Sequence, residues 1–143
     1  PILITDSGEL SLWWEAAGMG DELGSTMYRV TWNPFFSYQT YPLVPYFYRL
    51  KAALISPWIK KIIVSELQME PWGPNGLNNL SLVEARKSFD IKRFNDNVDF
   101  SRRTGFTEVF LWGVEWWYKV KIDGDASYWE AGKELFRNPN NKN

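Results

Sequence analysis

The chain has 143 residues and a formal net charge of −1, from 16 Lys and Arg residues against 17 Asp and Glu residues. This length suffices for one domain with a hydrophobic core, and we predict a single domain over residues 1–143 that ends in a polar tail at 138–143. The absence of a basic run argues against a nucleic-acid partner. No apolar run approaches the roughly 18 residues that would indicate a membrane span.

Cysteine and histidine are both absent from the sequence. Their absence excludes disulfides, a thiol nucleophile, Ser-His-Asp catalysis and histidine-ligated zinc, and it leaves acid–base chemistry to Asp, Glu, Tyr or Lys. We predict that the protein uses no metal and no cofactor. The chain begins at Pro1 and enters a strand at once, which is typical of a piece of a longer protein, so the sequence leaves the localisation open.

Aromatic residues are unusually frequent, with nine Trp, seven Tyr and nine Phe. Tryptophan is a costly core residue because its indole N–H needs a hydrogen-bond partner when it is buried. We therefore expect that most of these rings fill the core and that a few line a half-open cleft. Sugars suit such a cleft, because they offer C–H faces for stacking and hydroxyl groups for hydrogen bonds.

The first half of the chain predicts two strands, each followed by a helix. Residues 1–7 form an apolar strand, and residues 10–18 favour a short helix. The second predicted strand covers residues 23–32, and an aromatic loop follows it. A longer helix is predicted over residues 44–61, with Pro45 suited to its first turn.

The second half of the chain repeats this alternation. The third predicted strand covers residues 61–67. A capping box opens helical sequence over residues 81–101, with a break near 95–97. The fourth predicted strand covers residues 107–113, and an amphipathic helix over residues 126–137 ends the pattern.

Four strand–helix units in succession predict an α/β protein with a parallel sheet. Two architectures fit this pattern: a small doubly wound sheet, and half of a (β/α)8 TIM barrel, whose full length is about 250 residues. A doubly wound sheet that binds a dinucleotide carries a GxGxxG loop after its first strand, and the sequence DSGELS at residues 6–11 has no such motif. We therefore favour the half barrel of about four parallel βα units.

Polar and aromatic side chains concentrate where the predicted strands end. In both architectures ligands bind at the carboxyl ends of parallel strands. We therefore predict a site built from these strand ends, with Glu66 as the catalytic carboxylate. The candidate substrate-binding residues are Asp6, Glu9, Tyr28, Trp32, Asn33, Gln68, Glu70, Trp72, Trp112 and Trp116.

Glu66 follows the apolar run of the third strand without an intervening turn residue. If Ile62 and Val64 face the barrel interior, the two-residue period of a strand puts Glu66 on the same face, at the mouth. A carboxylate on a rigid strand end, in an apolar cleft, suits a nucleophile or a general base. The alternative is a strand-end Glu that pairs with a Lys or Arg.

The other candidate residues of the loop and the strand ends also have an interpretation other than substrate binding. Glu70 either holds sugar hydroxyls or is simply solvated, and Trp72 either forms a stacking wall or packs its loop down. By the two-residue period Trp112 faces the mouth if Phe110 faces inward, and otherwise it is a core residue. Of Trp116 and its neighbouring tryptophan, at most one can face the site.

Asp6 and Glu9 form a second acidic group after the first strand. The alternative to a binding role is a helix N-cap, because the sequence DSGE is typical of a helix start. Capping is the favoured role for Asp6, and the choice stays open for Glu9.

Three segments together resemble the clan-A glycoside hydrolases, the (β/α)8 retaining enzymes. The segment DELGSTMYRVTW resembles their sixth strand, with Asp21, Gly24 and Tyr28 at the lead-in and strand-end positions. The segment IIVSELQMEPW resembles their seventh strand, whose terminal Glu is the nucleophile and corresponds to Glu66. The segment EVFLWGVEWW resembles their eighth strand, whose terminal Trp floors the sugar subsite and corresponds to Trp112.

The resemblance is closest to cellulase-like and galactanase-like members of that clan. It implies that the chain supplies strands five to eight of a barrel that hydrolyses β-linked polysaccharides or oligosaccharides by retaining double displacement. The family's acid/base Glu follows the fourth strand, usually as Asn-Glu, and this sequence contains no Asn-Glu. The resemblance therefore implies two partners: a carbohydrate substrate, and an N-terminal half of the same barrel that carries the acid/base residue.

Two other interpretations stay open. The chain is either a non-catalytic carbohydrate-binding or scaffold half barrel that keeps the aromatic cleft, or a complete small α/β protein of unrelated function. A half barrel leaves two strand edges and a former interior uncovered, so we also expect self-association through the open sheet edges.

Overall fold

The computed structural model of the chain describes residues 1–138, apart from the side chain of Asn78. It is an α/β structure whose central sheet has four parallel strands that neighbour one another in chain order. The predicted class, the parallel sheet and the strand order are thereby confirmed. The strands in this part of the chain are β1 (Leu3–Asp6), β2 (Glu22–Met27), β3 (Val30–Asn33), β4 (Ser37–Thr40), β5 (Lys61–Gln68) and β6 (Val109–Trp112).

The parallel sheet has the order β1-β2-β5-β6, and β3 and β4 pair with each other in an antiparallel hairpin. The helices of the described residues are α1 (Trp14–Ala17), α2 (Pro45–Ile55), α3 (Leu82–Ser88), α4 (Ile91–Thr104), α5 (Val114–Ile122) and α6 (Ser127–Arg137). None of these helices is long and apolar enough to cross a membrane. Asn138 follows α6, and the rest of the predicted polar tail, residues 139–143, lies outside the described residues.

The second predicted strand, residues 23–32, is in fact two strands. β2 ends at Met27, and after a short break β3 begins the hairpin. The break arises because the Gln68 side-chain oxygen accepts hydrogen bonds from the backbone N–H groups of Arg29 and Val30, at 2.8 and 2.9 Å. The aromatic loop predicted after this strand is therefore the turn and second strand of the hairpin.

The predicted helices differ from the observed ones mainly at their ends. α2 stops at Ile55 rather than 61, two residues before Pro57, which has no backbone N–H to continue the ladder. The helical stretch predicted from 81 is capped by Ser81 as expected, but its break lies at Phe89 rather than near 95–97. There Asp90 caps α4 by accepting from the Arg93 backbone N–H at 2.8 Å. α5 was not predicted.

The helices pack on one face of the parallel sheet. Leu23 of β2 and Val64 and Leu67 of β5 belong to one hydrophobic cluster with Phe94 of α4 and Trp117 of α5. The cluster is the main core of the described residues, and its burial drives the strand–helix packing.

The other face of the sheet carries apolar side chains that nothing in residues 1–138 covers. Leu3 is 44% exposed, Phe110 is 57% exposed and Trp112 is 49% exposed. Parallel sheets are almost always covered on both faces. This uncovered side, defined by Leu3, Phe110 and Trp112, is called the open face of the sheet.

β5 contains one residue more than its neighbours. Ser25 pairs with Val64 while the next residue, Thr26, pairs with Glu66, and the pairing with β6 shifts over the same interval. The extra residue, Ser65, forms a β-bulge. Two residues of β5 therefore lie opposite one residue of the neighbouring strand, and the regular alternation of side chains between the two faces restarts after the bulge.

The bulge corrects the argument that placed Glu66. Ile62 and Val64 pack toward the helices, so they do not face the open side, and simple alternation from them would point Glu66 at the helices too. Because Ser65 is inserted, Leu67 returns to the helical face and Glu66 points to the open side.

Candidate functional site

Tyr28 and Glu66 meet at the carboxyl ends of the two central parallel strands. The Tyr28 hydroxyl donates a hydrogen bond of 2.8 Å to Glu66 Oε2. Burial raises the pKa of the Tyr28 hydroxyl well above its usual range, and the neighbouring Glu66 carboxylate raises it further. The hydroxyl therefore stays protonated and acts as a fixed donor toward the carboxylate.

Trp72 packs directly on this pair, and Trp112 joins the site through Glu70. The Trp72 ring packs against the Tyr28 ring, with centroids 5.3 Å apart, and Trp112 Nε1 donates to Glu70 Oε1 at 3.1 Å. Both indoles remain substantially exposed. Their exposed faces give the site the flat apolar surfaces that a sugar ring can stack on.

Glu70, two residues after β5, packs against the turn between β6 and α5. Burial raises the pKa of its carboxyl group, and the negative charge of Glu115 raises that pKa further. The hydrogen bond from the Trp112 indole N–H lowers the pKa, but by less than burial raises it. Gly113 makes the close packing feasible, since a Cβ at this position would lie 2.5 Å from Glu70 Cβ. The φ of Gly113 is +126°, a conformation that also favours glycine.

Glu9 fixes the backbone that carries Tyr28. Its carboxylate accepts from the Tyr28 backbone N–H at 2.7 Å, the Thr26 hydroxyl at 2.9 Å and the Tyr48 hydroxyl at 3.1 Å. The loop after β1 is thus fastened to the end of β2. The roles of Thr26 and Tyr48 as hydrogen-bond donors to Glu9 were not predicted. No sequence pattern marks a single hydroxyl in a buried segment as a donor.

Asp6, Asn33 and Gln68 hold backbone groups instead of joining the group around Glu66. Asp6 accepts from the Ser7 backbone N–H at 2.7 Å and from the Ser11 hydroxyl, which orders the loop but caps no helix. Asn33 accepts from two backbone N–H groups of the hairpin turn. The Gln68 side chain is almost fully buried and clamps the start of β3.

Trp32 and Trp116 lie outside the group around Glu66. Trp32 sits on the hairpin opposite Tyr38 and is partly exposed. The prediction that Trp116 lines the cleft is wrong, because its side chain is 4% exposed and packs between Phe89 and Tyr128 in the core. Helix α5 turns it inward, and no sequence pattern indicated that helix.

The described residues contain no group of three or more acidic side chains arranged to hold a metal ion. The site therefore consists of one hydroxyl-bound carboxylate, Glu66, a second half-buried carboxyl group, Glu70, and two indole faces. Such a set can accept hydrogen bonds from sugar hydroxyls, and Glu66 can act as a nucleophile or base.

No protein-family model, curated protein or solved structure matches this chain. The geometry of the site and the sequence resemblance are thus the two grounds for a functional proposal.

Proposed function

We propose that the chain is the C-terminal half of a (β/α)8 barrel that hydrolyses β-linked glycans with retention, and that Glu66 is its nucleophile. The observation that carries the proposal is the 2.8 Å hydrogen bond from the Tyr28 hydroxyl to Glu66. The donated hydrogen bond fixes the orientation of the attacking carboxylate.

The half barrel is supported by the sheet. β1 and β6 are the edge strands of an all-parallel sheet with helices on one face only. Four further βα units joined to these edges would close an eight-stranded barrel and cover Leu3 and Phe110. These units are the N-terminal half in the proposal.

In the proposed reaction Glu66 attacks the anomeric carbon, and the bond to the leaving oxygen breaks as that oxygen takes a proton from a second carboxylic acid. Water then hydrolyses the glycosyl–enzyme ester, with the second residue acting as base. Retaining enzymes hold the two carboxyl groups about 5–5.5 Å apart. The N-terminal half supplies the second group in this proposal, because the acid/base Glu of the clan that the chain resembles follows the fourth strand of the barrel.

Trp72 and Trp112 bind the sugar in this proposal. Their exposed indole faces stack on its C–H faces, and Glu70 orients Trp112 through the indole N–H. Glu70 is thereby a positioning residue for the platform.

The test is turnover of aryl glycosides, β-glucan and β-galactan by the full-length protein and by matched variants. Glu66→Gln keeps the size and removes the nucleophilic charge, so we expect kcat to fall at least about a thousandfold while oligosaccharide binding changes little. Trp112→Ala should mainly weaken binding. Glu70→Gln is the matched carboxyl control and should lose far less turnover than Glu66→Gln.

A near wild-type rate for Glu66→Gln with an inactive Glu70→Gln would assign the nucleophile to Glu70 instead. The second candidate function is a non-catalytic carbohydrate-binding half barrel. It is favoured by the exposed indoles of Trp72 and Trp112, which can stack on a sugar whether or not Glu66 has an acid/base partner. Glycan binding by the full-length protein without turnover of any substrate would support this second function.

A further inference from the structure

The stretch from residue 30 to 48 carries no charged side chain, although Arg29 and Arg49 flank it. Eight of its 19 residues are aromatic. In the structure this stretch forms the β3–β4 hairpin and the first part of α2. A long uncharged segment on a surface is unusual, because exposed elements normally carry charged side chains.

The tip of the hairpin presents two adjacent phenylalanines to solvent. Phe35 is 89% exposed and Phe36 is 70% exposed. The Asn33 side-chain oxygen accepts from the backbone N–H groups of both, at 3.0 and 2.8 Å. The tip is therefore an ordered turn, and adjacent exposed rings on an ordered turn are typical of a binding surface.

The hairpin is continuous with the candidate site. Gln68 of β5 clamps Val30 at its base, and the Tyr38 hydroxyl donates to Glu84 Oε1 of α3 at 2.7 Å. A Cβ on Gly73, the residue after Trp72, would lie 3.3 Å from the Tyr38 hydroxyl oxygen. The hairpin thus borders the loop that carries Trp72.

We propose that Phe35 and Phe36 form a distal stacking platform for a neutral glycan chain that also binds at the candidate site around Glu66. The inference rests on the proposed function and deepens it, because it makes the substrate a polymer rather than a short oligosaccharide. Phe35 follows Tyr28 by seven residues, which limits their separation to about 25 Å. A chain of several sugar units spans such a distance.

The chemistry of the hairpin favours a neutral glycan over other occupants. Anionic lipid surfaces attract clustered Lys and Arg, and the hairpin has neither. Between its rings it offers only neutral hydrogen-bonding side chains such as Thr31 and Gln39. Rings interleaved with hydroxyls and amides match a ligand that alternates C–H faces with hydroxyl groups.

The test compares the full-length protein with a Phe35→Ala/Phe36→Ala double variant. The probes are a hexasaccharide and a disaccharide prepared from each of β-1,4-glucan and β-1,4-galactan, titrated by calorimetry. We expect the double variant to bind the recognised hexasaccharide about tenfold more weakly and the disaccharide unchanged, because only the longer chain reaches two extra rings. Phe136→Ala on α6, which removes another highly exposed ring, is the control and should change neither affinity.

Unchanged hexasaccharide affinity in the double variant would overturn the platform while leaving the proposed function intact. Equal losses for both oligosaccharides would also overturn it, because they would point to a disturbed cleft. A wild-type protein that binds no glycan would overturn both proposals together. A separate measurement uses vesicles of phosphatidylcholine. If the protein binds these vesicles through Phe35 and Phe36 and binds no glycan, the hairpin tip is a membrane-binding surface instead.

Discussion

Tyr28 joins three parts of the candidate site through three different groups. Its backbone N–H is bound by Glu9 at 2.7 Å, its ring packs on Trp72 and its hydroxyl donates to Glu66. Two carboxylates bind different groups of this residue. Glu9 accepts from its backbone N–H and so fixes its position, and Glu66 accepts from its hydroxyl. The position of the proposed nucleophile therefore depends on a neutral side chain.

Replacing Tyr28 by Phe removes only the donor to Glu66. A hydrogen bond to a charged group contributes about 1.5–3 kcal/mol, so we expect kcat/KM of the full-length protein to fall roughly ten- to a hundredfold. Tyr38→Phe is the matched control, because that hydroxyl binds Glu84 instead. Equal rates for wild type and Tyr28→Phe on aryl glycosides would show that the hydroxyl does not support catalysis.

Glu70 predicts a pH dependence of stability. Burial raises the pKa of its carboxyl group above the ordinary 4.5, so the folded chain binds the proton more tightly than the unfolded chain does. Its contribution to stability is therefore complete below about pH 4.5 and is lost as the pH rises through the raised folded-state pKa.

Urea denaturation of wild type and Glu70→Gln at several pH values tests this sign. The free energy of unfolding of wild type should fall relative to the variant as the pH rises above about 4.5. The variant keeps a partner for the Trp112 indole N–H through its amide oxygen. A difference between the two proteins that does not change with pH would contradict the argument.

At the scale of elements, Lys51 of α2 holds the loop after β1. Its side chain is almost fully buried, and Nζ donates to the backbone oxygens of Gly8 and Ser11 at 2.6 and 2.9 Å. Nζ also lies 3.8 Å from the centre of the Trp13 ring. Through this loop α2 determines where Glu9 meets β2.

Lys51→Met should destabilise the chain by about 2 kcal/mol, because it leaves two inward-facing carbonyl groups without their donor. Burial lowers the pKa of the Lys51 ammonium group from 10.5 to about 8. Between about pH 8 and 10 the unfolded chain therefore binds the proton that the folded chain has released, so wild type should gain stability relative to the variant as the pH rises.

Thermal and urea unfolding of both proteins between pH 7 and 10 measure these effects. Arg49→Met on the exposed side of α2 is the control and should stay within about 0.5 kcal/mol of wild type. A Lys51→Met protein as stable as this control would show that the loop is held by its other contacts.

The element pattern was predictable from sequence where hydrophobic periodicity dominates. The four parallel strands and their order follow from the repeated strand–helix alternation, in which short apolar runs such as residues 62–64 of β5 mark the strands. The hairpin was missed because the Gln68 side chain, rather than a turn residue, interrupts the second strand. Trp116 was placed wrongly because nothing in the adjacent-tryptophan pattern indicates that α5 begins at Val114 and turns it toward Phe89.

The candidate site was predictable only in part. The meeting of Tyr28 with Glu66 was expected, and the hydrogen bond is present. The parity argument behind it was wrong, since Ile62 and Val64 face the helices. No sequence pattern marks the bulge in this strand. The prediction that Glu66 meets Tyr28 was therefore correct, although the two-residue-period argument used to place Glu66 was not.

At the scale of the whole molecule, the open face is the dominant feature. Phe110 and Leu3 lie exposed on a parallel sheet whose two outer strands have unpaired edges within the described residues. Exposed edges and apolar faces favour association with other chains. The isolated chain should therefore associate with itself when the proposed N-terminal half is absent.

Sedimentation velocity of the isolated 143-residue chain over a hundredfold range of concentration tests this expectation. We expect dimers or larger species at micromolar concentration, and Phe110→Lys should shift the distribution toward monomer by placing a charge on the open face. Val83→Lys, at an exposed position of α3, is the matched control and should leave the distribution unchanged. A chain that stays monomeric throughout would contradict the role given to the open face.

Because Ser65 is the extra residue of a bulge, β5 should keep its pattern of inward and outward side chains when this one residue is removed. Its hydroxyl is buried without a hydrogen-bond partner, and without it Ile62, Val64 and Leu67 would alternate regularly with Ile63 and Glu66. A gene that lost this codon would encode a strand with every remaining side chain on its present face. Removing Ser65 should therefore restore a regular strand without turning Glu66 away from the open face.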